Sequence, residues 1–396
     1  MKKVLLCLSL IIVHILLIST VKAQKITLSE SAAISVLTMG PGTNLNDSFG
    51  HSAFRISDTN QNIDVVYNYG VYNFDTPNFY LKFVKGQLMY QLDRTDFSLF
   101  YQHYSDQDRW IKEQVLNLTL KEKQEVFDFL QNNYLPENRN YIYDFFFENC
   151  ATRIRDVLAD VLKKKLVFDK NFVSNPRTFR QLIQKNVHWN SWGSFGMDLA
   201  IGAVVDRNAS SWEHQFLPEY IFKALEKGQI KRGLGATDLV NKTSILNKKL
   251  AKEKSETLLM SPFFIISLLA FIILGVTFKD YQNNSRSRWM DSGLYALTGI
   301  IGVFLILLWF ATDHFATQNN YNLLWAFPLS LFFAIEITKQ NPKYWVKKYI
   351  MFQMLMLLLM CIHWITGVQS YPVVLLPLLT ALGIRYIFIF NFLNKK

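Results

Sequence analysis

One stretch organises the N-terminal half of this chain: Phe145-Phe146-Phe147-Glu148-Asn149-Cys150-Ala151-Thr152-Arg153. Asn149 is a good helix N-cap, and this pattern predicts a helix that begins at Cys150. A thiol at the first helical position lies beside unpaired backbone N–H groups and the positive end of the helix dipole, which favour the thiolate. Cys150 is therefore a candidate nucleophile, and Asn149 with the backbone amide of Cys150 forms a candidate oxyanion environment. The apolar face of the predicted helix consists of Ile154, Val157, Leu158, Val161 and Leu162.

The number and placement of the cysteines also single out Cys150. Of the three, Cys7 lies in a predicted signal sequence and Cys361 in a predicted membrane span. Cys150 is then the single thiol of an exported domain and has no partner for an internal disulfide. In an oxidising compartment such a thiol is buried, bridged to another molecule, or used in chemistry. A buried structural cysteine and an intermolecular bridge remain open at this point.

A thiol nucleophile needs a base to accept its proton. His51, in Gly50-His51-Ser52, follows a turn at the start of a predicted strand and is the candidate base. The other exported histidines suit different places, His103 a surface position and His188 and His214 packing positions in Trp-rich segments.

A third group that orients the histidine is expected on the neighbouring strand. Asn68 and Asp64 are both candidates, and the sequence does not separate them. No two exported histidines have the close spacing of zinc ligands, and the domain offers one cysteine, so neither a metal nor a cofactor is predicted.

The chain divides by composition into four regions. Residues 1–23, with Lys2 and Lys3 before an apolar core, are typical of a cleaved secretory signal peptide, with an uncleaved anchor helix as the alternative. Residues 24–235 predict an exported α+β domain, and the polar, Lys-rich residues 236–257 predict a stalk. The predicted strands are Ile34–Met39, Ser52–Ile56, Asp64–Tyr69 and Leu88–Leu92, and a capping box at Thr119 opens a helix that runs to about Asn132.

Residues 258–394 predict an all-α membrane domain of five helices. Five stretches are long and apolar enough to cross a bilayer, although Asn322, Pro328 and Glu336 interrupt the third. The stretches are Leu258–Phe278, Leu294–Phe310, Tyr321–Thr338, Tyr349–Val368 and Val373–Phe392.

The net charge of +11 is concentrated beside these apolar stretches. Residues 24–256 hold 29 basic and 27 acidic side chains, so no basic domain exists and nucleic acid is not a predicted partner. If the N-terminal domain is outside, the predicted inner loops carry Lys and Arg residues whereas the predicted outer loops carry none. This asymmetry predicts a multi-pass protein whose C-terminus is cytoplasmic.

Gly50-His51-Ser52, followed about 100 residues later by Asn149-Cys150, resembles a circularly permuted papain-like domain, in which the histidine precedes the cysteine. Further motifs make nearly the whole chain similar to the Lnb-type bacterial lipoprotein N-acyltransferases. These motifs are Val66-Tyr67-Asn68-Tyr69-Gly70, Pro136-Glu137-Asn138-Arg139, Tyr143-Asp144-Phe145, Thr312-Asp313-His314 and Asn322-Leu323-Leu324-Trp325.

The resemblance implies a permuted papain-like domain on five helices of the bacterial inner membrane. It also implies an activity: transfer of an acyl chain from a phospholipid to the N-terminal cysteine amine of a diacylglyceryl lipoprotein, through a thioester on Cys150. Two rival functions remain open, a membrane-tethered cell-wall peptidase and a non-enzymatic scaffold with a structural cysteine. Five spans exceed what a tether needs, which counts against the peptidase.

Asp313 and His314 follow the second predicted span, in an outer loop otherwise free of charge. Two interpretations are open. The pair either meets water at the membrane surface or completes the site from the membrane side.

Overall fold

The computed structural model describes residues 26–248 and 258–395, and the predicted signal peptide lies outside them. Within the described residues the chain forms ten strands. They are β1 Ala33–Met39, β2 His51–Asp58, β3 Ile63–Val71, β4 Met89–Asp96, β5 Ile111–Leu116, β6 Asn140–Ile142, β7 Leu166–Val167, β8 Gln229–Arg232, β9 Gly235–Asp238 and β10 Val240–Asn247.

Seven of these strands form one antiparallel sheet in the order β10-β5-β1-β2-β3-β4-β6, and β7, β8 and β9 form a smaller one. Among its described residues the same domain contains eight α-helices, four of which (α2, α3, α4 and α8) pack on the large sheet. The helices are α1 Phe79–Lys85, α2 Phe97–Ser105, α3 Leu120–Tyr134, α4 Cys150–Leu162, α5 Phe179–Gln184, α6 Trp192–Ala200, α7 Ser211–His214 and α8 Pro218–Glu226.

The large sheet separates two hydrophobic cores. On one face α3, α4 and α8 pack against residues such as Phe54 and Tyr67. On the other face α2 packs against residues such as Ala53 and Val66. Because successive side chains of a strand point to opposite faces, each of β2 and β3 contributes to both cores. The domain is a mixed α/β fold.

The sequence predictions for this domain hold in its centre and fail at its end. The four predicted strands correspond to β1–β4, and the helices predicted to open at Thr119 and Cys150 are α3 and α4. The predicted stalk is wrong over Val240–Asn247, since this segment is the edge strand beside β5. Its polar, solvent-exposed side chains, which suggested a stalk, are typical of an edge strand that resists pairing with another molecule.

The C-terminal domain is helical. Its helices are α9 Pro262–Gln282, α10 Arg288–Phe310, α11 Ser330–Glu336, α12 Tyr344–Ile365 and α13 Leu376–Asn394. Among the described residues four helical segments are long and apolar enough to cross a membrane: α9, α10, α12, and Val373–Asn394, which contains α13. They correspond to the first, second, fourth and fifth predicted spans.

Where the sequence predicts the third spanning helix, Tyr321–Thr338, the structure has no continuous helix, so four of the five predicted helices are found among the described residues. The segment consists of a short 3-10 turn, an irregular stretch and the seven-residue α11. Pro328 lies in the break. Proline interrupts a helix because it lacks a backbone N–H donor and its ring clashes with the preceding turn.

The broken segment nevertheless follows α10 along its whole length. Just before the segment, the Thr317 hydroxyl donates to the carbonyl oxygen of Leu308 near the end of α10. Near the end of the segment, the carbonyl oxygen of Ile337 accepts from Arg286, which lies just before α10. Between them a Cβ on Gly302 would overlap the carbonyl oxygen of Ala326. Non-helical backbone at membrane depth is tolerated where protein covers it, and α10 provides that cover.

Candidate active site

Helix α4 places Cys150 by means of its N-cap. The Asn149 side-chain oxygen accepts hydrogen bonds from the N–H groups of Ala151 (2.8 Å) and Thr152 (3.0 Å), and the Thr152 hydroxyl accepts one from the Asn149 N–H (2.8 Å). The Asn149 amide also donates to the carbonyl oxygen of Phe216 (2.9 Å), which ties the first turn to the segment before α8. These hydrogen bonds hold the backbone of the first helical turn and attach that turn to the neighbouring segment.

This capping arrangement leaves one donor unused. Within the described residues the Cys150 N–H makes no hydrogen bond, since Asn149 serves the next two amides. The Cys150 side chain is 8% exposed, and its sulfur is a free thiol. A carbonyl carbon attacked by this sulfur would place its developing oxyanion near the unused N–H.

His51 reaches the site from the start of β2. The preceding Gly50 has a φ of 79°, and a Cβ there would lie 2.7 Å from the carbonyl oxygen of Met39, so this turn requires glycine. His51 pairs with Met39 of β1, but pairing of β2 with β3 begins only at Phe54 and Tyr67. The sheet is therefore open between β2 and β3 at the level of His51.

Asn68 holds the histidine ring. His51 Nε2 lies 2.6 Å from Asn68 Oδ1, so a proton on Nε2 is donated to the amide oxygen and Nδ1 is left to face the thiol. Tyr104 of α2 stacks on the ring with an interplanar angle of 15° and 6.0 Å between centroids. Hydrogen bond and stacking together fix the orientation of the imidazole.

The thiol and the imidazole perturb each other's pKa. Burial raises the pKa of Cys150, but the charge and hydrogen bond of His51 and the backbone N–H groups of Ser52 and Ala151 outweigh it, so the pKa lies below its usual value. Burial lowers the pKa of His51, but the charge and hydrogen bond of Cys150 and the hydrogen bond to Asn68 raise it above its usual value. Both shifts favour a thiolate–imidazolium pair.

Gly70 lies directly beside this pair. A Cβ built on Gly70 would lie 3.9 Å from the Cβ of Cys150 and 4.0 Å from the Cε1 of His51. Its φ of 93° falls in the left-handed region, and the β3–β4 register shifts at this residue. A side chain here would be strained by the backbone conformation and would lie in van der Waals contact with the two reacting groups.

The structure separates the two candidates for the orienting group. Asp64 pairs with Arg55, with oxygen to nitrogen distances of 2.8 and 2.9 Å, and is not hydrogen-bonded to His51. Asp64 and Asn68 share one face of β3, but four residues of strand separate them by roughly 13 Å. Of the two, Asn68 is the residue that lies at the histidine.

The remaining exported histidines lie elsewhere. His103 is on α2 and contacts Gln107. His214 is buried, with Nδ1 bonded to the carbonyl oxygen of Ser210 and Nε2 accepting from the N–H of Arg177, and His188 accepts from the N–H of Asn190.

Asp313 and His314 contact the domain near the site without reaching the thiol. The Asp313 N–H donates to the carbonyl oxygen of Lys85 (2.8 Å), and His314 Nε2 lies 3.0 Å from that of Phe83. The His314 ring stacks on Phe145 with 6.2 Å between centroids. The loop thus docks on α1 and on the segment that leads into Cys150.

Two residues of the site carry no recognisable sequence signal as catalytic groups. Tyr143 lies against Gly70, and burial followed by the charge of Cys150 raises its pKa well above the usual value, so the phenol stays neutral. Arg109 is 3% exposed, donates to the carbonyl oxygen of Gly40 (2.7 Å), and lies over the Tyr104 ring at 4.7 Å. The charge of Arg109 lowers the pKa of His51 and so partly offsets the increase caused by Cys150 and Asn68. Only the fold brings either residue here.

Two family models match the chain. One, the Lnb N-terminal periplasmic domain, covers residues 20–185, which include the thiol, the histidine and the amide. The other, the Lnb transmembrane domain, covers residues 252–396. The chain belongs to the Lnb family. Neither a curated protein nor a solved structure matches it.

Membership of the Lnb family places the site relative to the membrane. The protein is therefore a membrane protein with a periplasmic N-terminal domain and a helical transmembrane domain, and the Cys150–His51 pair lies in the periplasmic part. The segment that follows the first matched region docks on the transmembrane domain: Trp192 Nε1 donates to the carbonyl oxygen of Met260, and the Phe263 N–H donates to Asn190 Oδ1. The Asn320 amide donates to the carbonyl oxygen of Leu199.

Proposed function

We propose that this protein is a lipoprotein N-acyltransferase of the bacterial inner membrane that works through a thioester on Cys150. Substrates are a membrane phospholipid as acyl donor and the N-terminal cysteine amine of a diacylglyceryl lipoprotein as acceptor. The observation that carries the proposal is the Cys150–His51–Asn68 arrangement in a domain docked on a transmembrane domain. His51 before Cys150 in the chain fits a circularly permuted papain-like arrangement.

The first half-reaction acylates the thiol. The Cys150 thiolate attacks an ester carbonyl carbon of the phospholipid, and the Cys150 N–H donates to the oxyanion that forms. Collapse breaks the ester C–O bond, and the His51 imidazolium gives its proton to the departing alkoxide. The products are a thioester, a lysophospholipid alcohol and a neutral imidazole.

The second half-reaction uses the neutral imidazole as a base. The unprotonated lipoprotein amine attacks the thioester carbonyl carbon, and His51 takes the proton from the attacking nitrogen. Collapse expels the sulfur as thiolate and leaves an amide. The thiolate–imidazolium pair is restored, so the cycle needs no metal and no redox partner.

The proposal includes a cytoplasmic C-terminus. The segment that follows the third predicted span returns to the level of Arg286, so the interrupted segment, α12 and α13 cross in alternating directions. A reporter fused after Lys396 is expected to be cytoplasmic, and one inserted after Gly367 periplasmic, where φ is 73° and no neighbour lies within 4 Å of a Cβ. A periplasmic C-terminal reporter would contradict this topology.

The test of the reaction is capture of the thioester. Purified full-length protein is incubated with phospholipid vesicles without lipoprotein and analysed by intact mass. We expect one added fatty-acyl mass that neutral hydroxylamine removes. Added diacylated lipopeptide should remove it as well and gain an amide-linked acyl chain.

Cys361 supplies the matched control, because it is the other described cysteine and lies exposed on α12. Cys361→Ala should form the adduct and Cys150→Ala should not. An adduct that persists in Cys150→Ala would refute the assignment. Absence of any lipid adduct together with cleavage of cell-wall peptides would identify a peptidase, and absence of both would indicate a scaffold.

A further inference from the structure

Helix α1 is apolar but lacks a protein core to bury its side chains. None of its seven residues is buried. Tyr80 is 77% exposed, Leu81 54% and Val84 43%, and Phe74 in the preceding turn is 64% exposed. Single exposed apolar residues are ordinary on a protein surface, but a continuous exposed group of this kind indicates a binding surface.

The position of α1 relative to the membrane domain is fixed by hydrogen bonds. The carbonyl oxygens of Phe83 and Lys85 are bonded to His314 and Asp313, and the Gln87 amide donates to the Asp313 carboxylate at 2.9 Å. Asp313 lies three residues after the end of α10 at Phe310. Helix α1 therefore lies at the level where a membrane-spanning helix ends.

The side chains of α1 suit that level. Aromatic residues are enriched where the hydrocarbon meets the headgroups, and lysines near such a surface extend their ammonium groups toward the phosphates. Lys82 and Lys85 lie in the last turn of α1, which contains no acidic residue. The exposed apolar residues and the two lysines together match a phospholipid surface rather than water.

Helix α1 is also close to the thiol. Phe83 contacts Phe145 edge-on, with 6.3 Å between ring centroids, and Phe145 contacts Tyr143 at 5.5 Å. Tyr143 lies against Gly70 beside Cys150. Two aromatic rings in succession, those of Phe145 and Tyr143, thus form an aromatic layer that links α1 to the neighbourhood of the reacting sulfur.

We propose that α1 lies in the outer headgroup layer of the inner membrane, with Tyr80, Leu81 and Val84 in contact with phospholipid acyl chains. Through the aromatic layer, this surface brings a phospholipid ester to the thiol. Delivery of the ester rests on the proposed acyl transfer, but the immersion of α1 does not. The two parts are therefore tested separately.

Immersion is measured with spin labels in the full-length protein. In a background of Cys7→Ala, Cys150→Ala and Cys361→Ala, a cysteine is introduced and labelled at Leu81, and in a second protein at Val84. The proteins are reconstituted in vesicles of phosphatidylethanolamine and phosphatidylglycerol. Collisions with oxygen, which concentrates in lipid, are compared with collisions with a water-soluble nickel chelate.

Leu99 provides the matched control, because it is a helical leucine of similar exposure (60%) on α2, which packs on β3 and β4. We expect the oxygen-to-chelate ratio at Leu81 and Val84 to exceed that at Leu99 several-fold. Equal ratios at all three positions would overturn the immersion of α1. So would protection from the chelate that occurs only after lipoprotein is added, since the surface would then bind the acceptor.

Delivery is measured by the rate of adduct formation from vesicle phospholipid in proteins that retain Cys150. Leu81→Glu should slow acylation at least several-fold relative to Leu99→Glu, because a carboxylate opposes insertion. Equal rates would overturn delivery by α1. If the wild type itself forms no adduct, the proposed acyl transfer fails, and the labels still decide where α1 lies.

Discussion

Asn68→Ala tests the site most directly, because it removes a single contact of the histidine. The substitution eliminates the 2.6 Å hydrogen bond between Asn68 Oδ1 and His51 Nε2. A hydrogen bond to a charged group contributes about 1.5–3 kcal/mol. The amide oxygen holds the charged imidazolium more strongly than the neutral ring, so the pKa of His51 should fall when this hydrogen bond is removed.

The sign of the effect on the thiol follows from the ion pair. The pKa of His51 is raised by the thiolate and by Asn68, and that of Cys150 is lowered by the imidazolium. Without Asn68 the imidazolium loses its proton at a lower pH, and the pKa of the thiol rises. At neutral pH the thiolate fraction and the rate of its reactions should fall, by at most roughly tenfold to a hundredfold if the whole hydrogen-bond energy favours the charged ring.

The assay is the rate of Cys150 alkylation by iodoacetamide as a function of pH, in protein that carries Cys7→Ala and Cys361→Ala. It requires no substrate, so it reports the ion pair alone. The alkaline end of the ion-pair plateau should move to lower pH in Asn68→Ala. Asn68→Asp keeps an acceptor oxygen and should restore alkylation at neutral pH.

Asp64→Ala is the control on the same face of the same strand. It removes a partly exposed ion pair with Arg55 that contributes less than about 1 kcal/mol to stability, and it should leave the alkylation profile unchanged. Wild-type alkylation in Asn68→Ala, or an equal loss in Asp64→Ala, would refute the assignment of Asn68 as the positioning residue.

Three further outcomes are expected. His51→Ala should abolish adduct formation in a folded protein while His103→Ala retains it, and comparable losses would mean that the base is wrongly assigned. Gly70→Ala should slow adduct formation and lower the melting temperature, because its φ is 93° and the reacting groups lie within about 4 Å, whereas Gly233→Ala, at a φ of 57° but in open space, should affect the melting temperature only. His314→Ala should lower turnover several-fold without loss of membrane insertion, since it removes contacts to α1 and Phe145. Wild-type turnover in this variant would mean that the loop only meets water at the membrane surface.

Local patterns predicted the centre of the periplasmic domain because local interactions determine it. The capping residues Thr119 and Asn149 fix where α3 and α4 begin, and both boundaries are confirmed. Alternation of side chains along a strand likewise placed β1–β4. The same alternation left Asp64 and Asn68 equivalent, because it assigns a face but not a position along the neighbouring strand.

The backbone conformation of two segments was not predicted, because hydropathy and charge reflect what surrounds a segment and not the conformation of its backbone. Tyr321–Thr338 is apolar enough for membrane depth, but its packing along α10 compensates for a break that a lone helix would not tolerate. Val240–Asn247 is polar because it lies at the edge of a sheet, and its partner, β5, is more than 100 residues away in the chain. Neither partner is visible in a local window of sequence.

The meeting of His51 and Cys150 depends on an interruption of the sheet. Along β2, His51 shares the face of Ala53, which packs with α2, whereas Cys150 packs in the core of the opposite face. A fully paired β2–β3 ladder would keep the two side chains on opposite sides. Because pairing begins only at Phe54, the imidazole reaches the sulfur, and the backbone N–H of Ser52 is directed to the sulfur instead of β3. The opening of the sheet therefore supplies both the base and a donor that stabilises the thiolate.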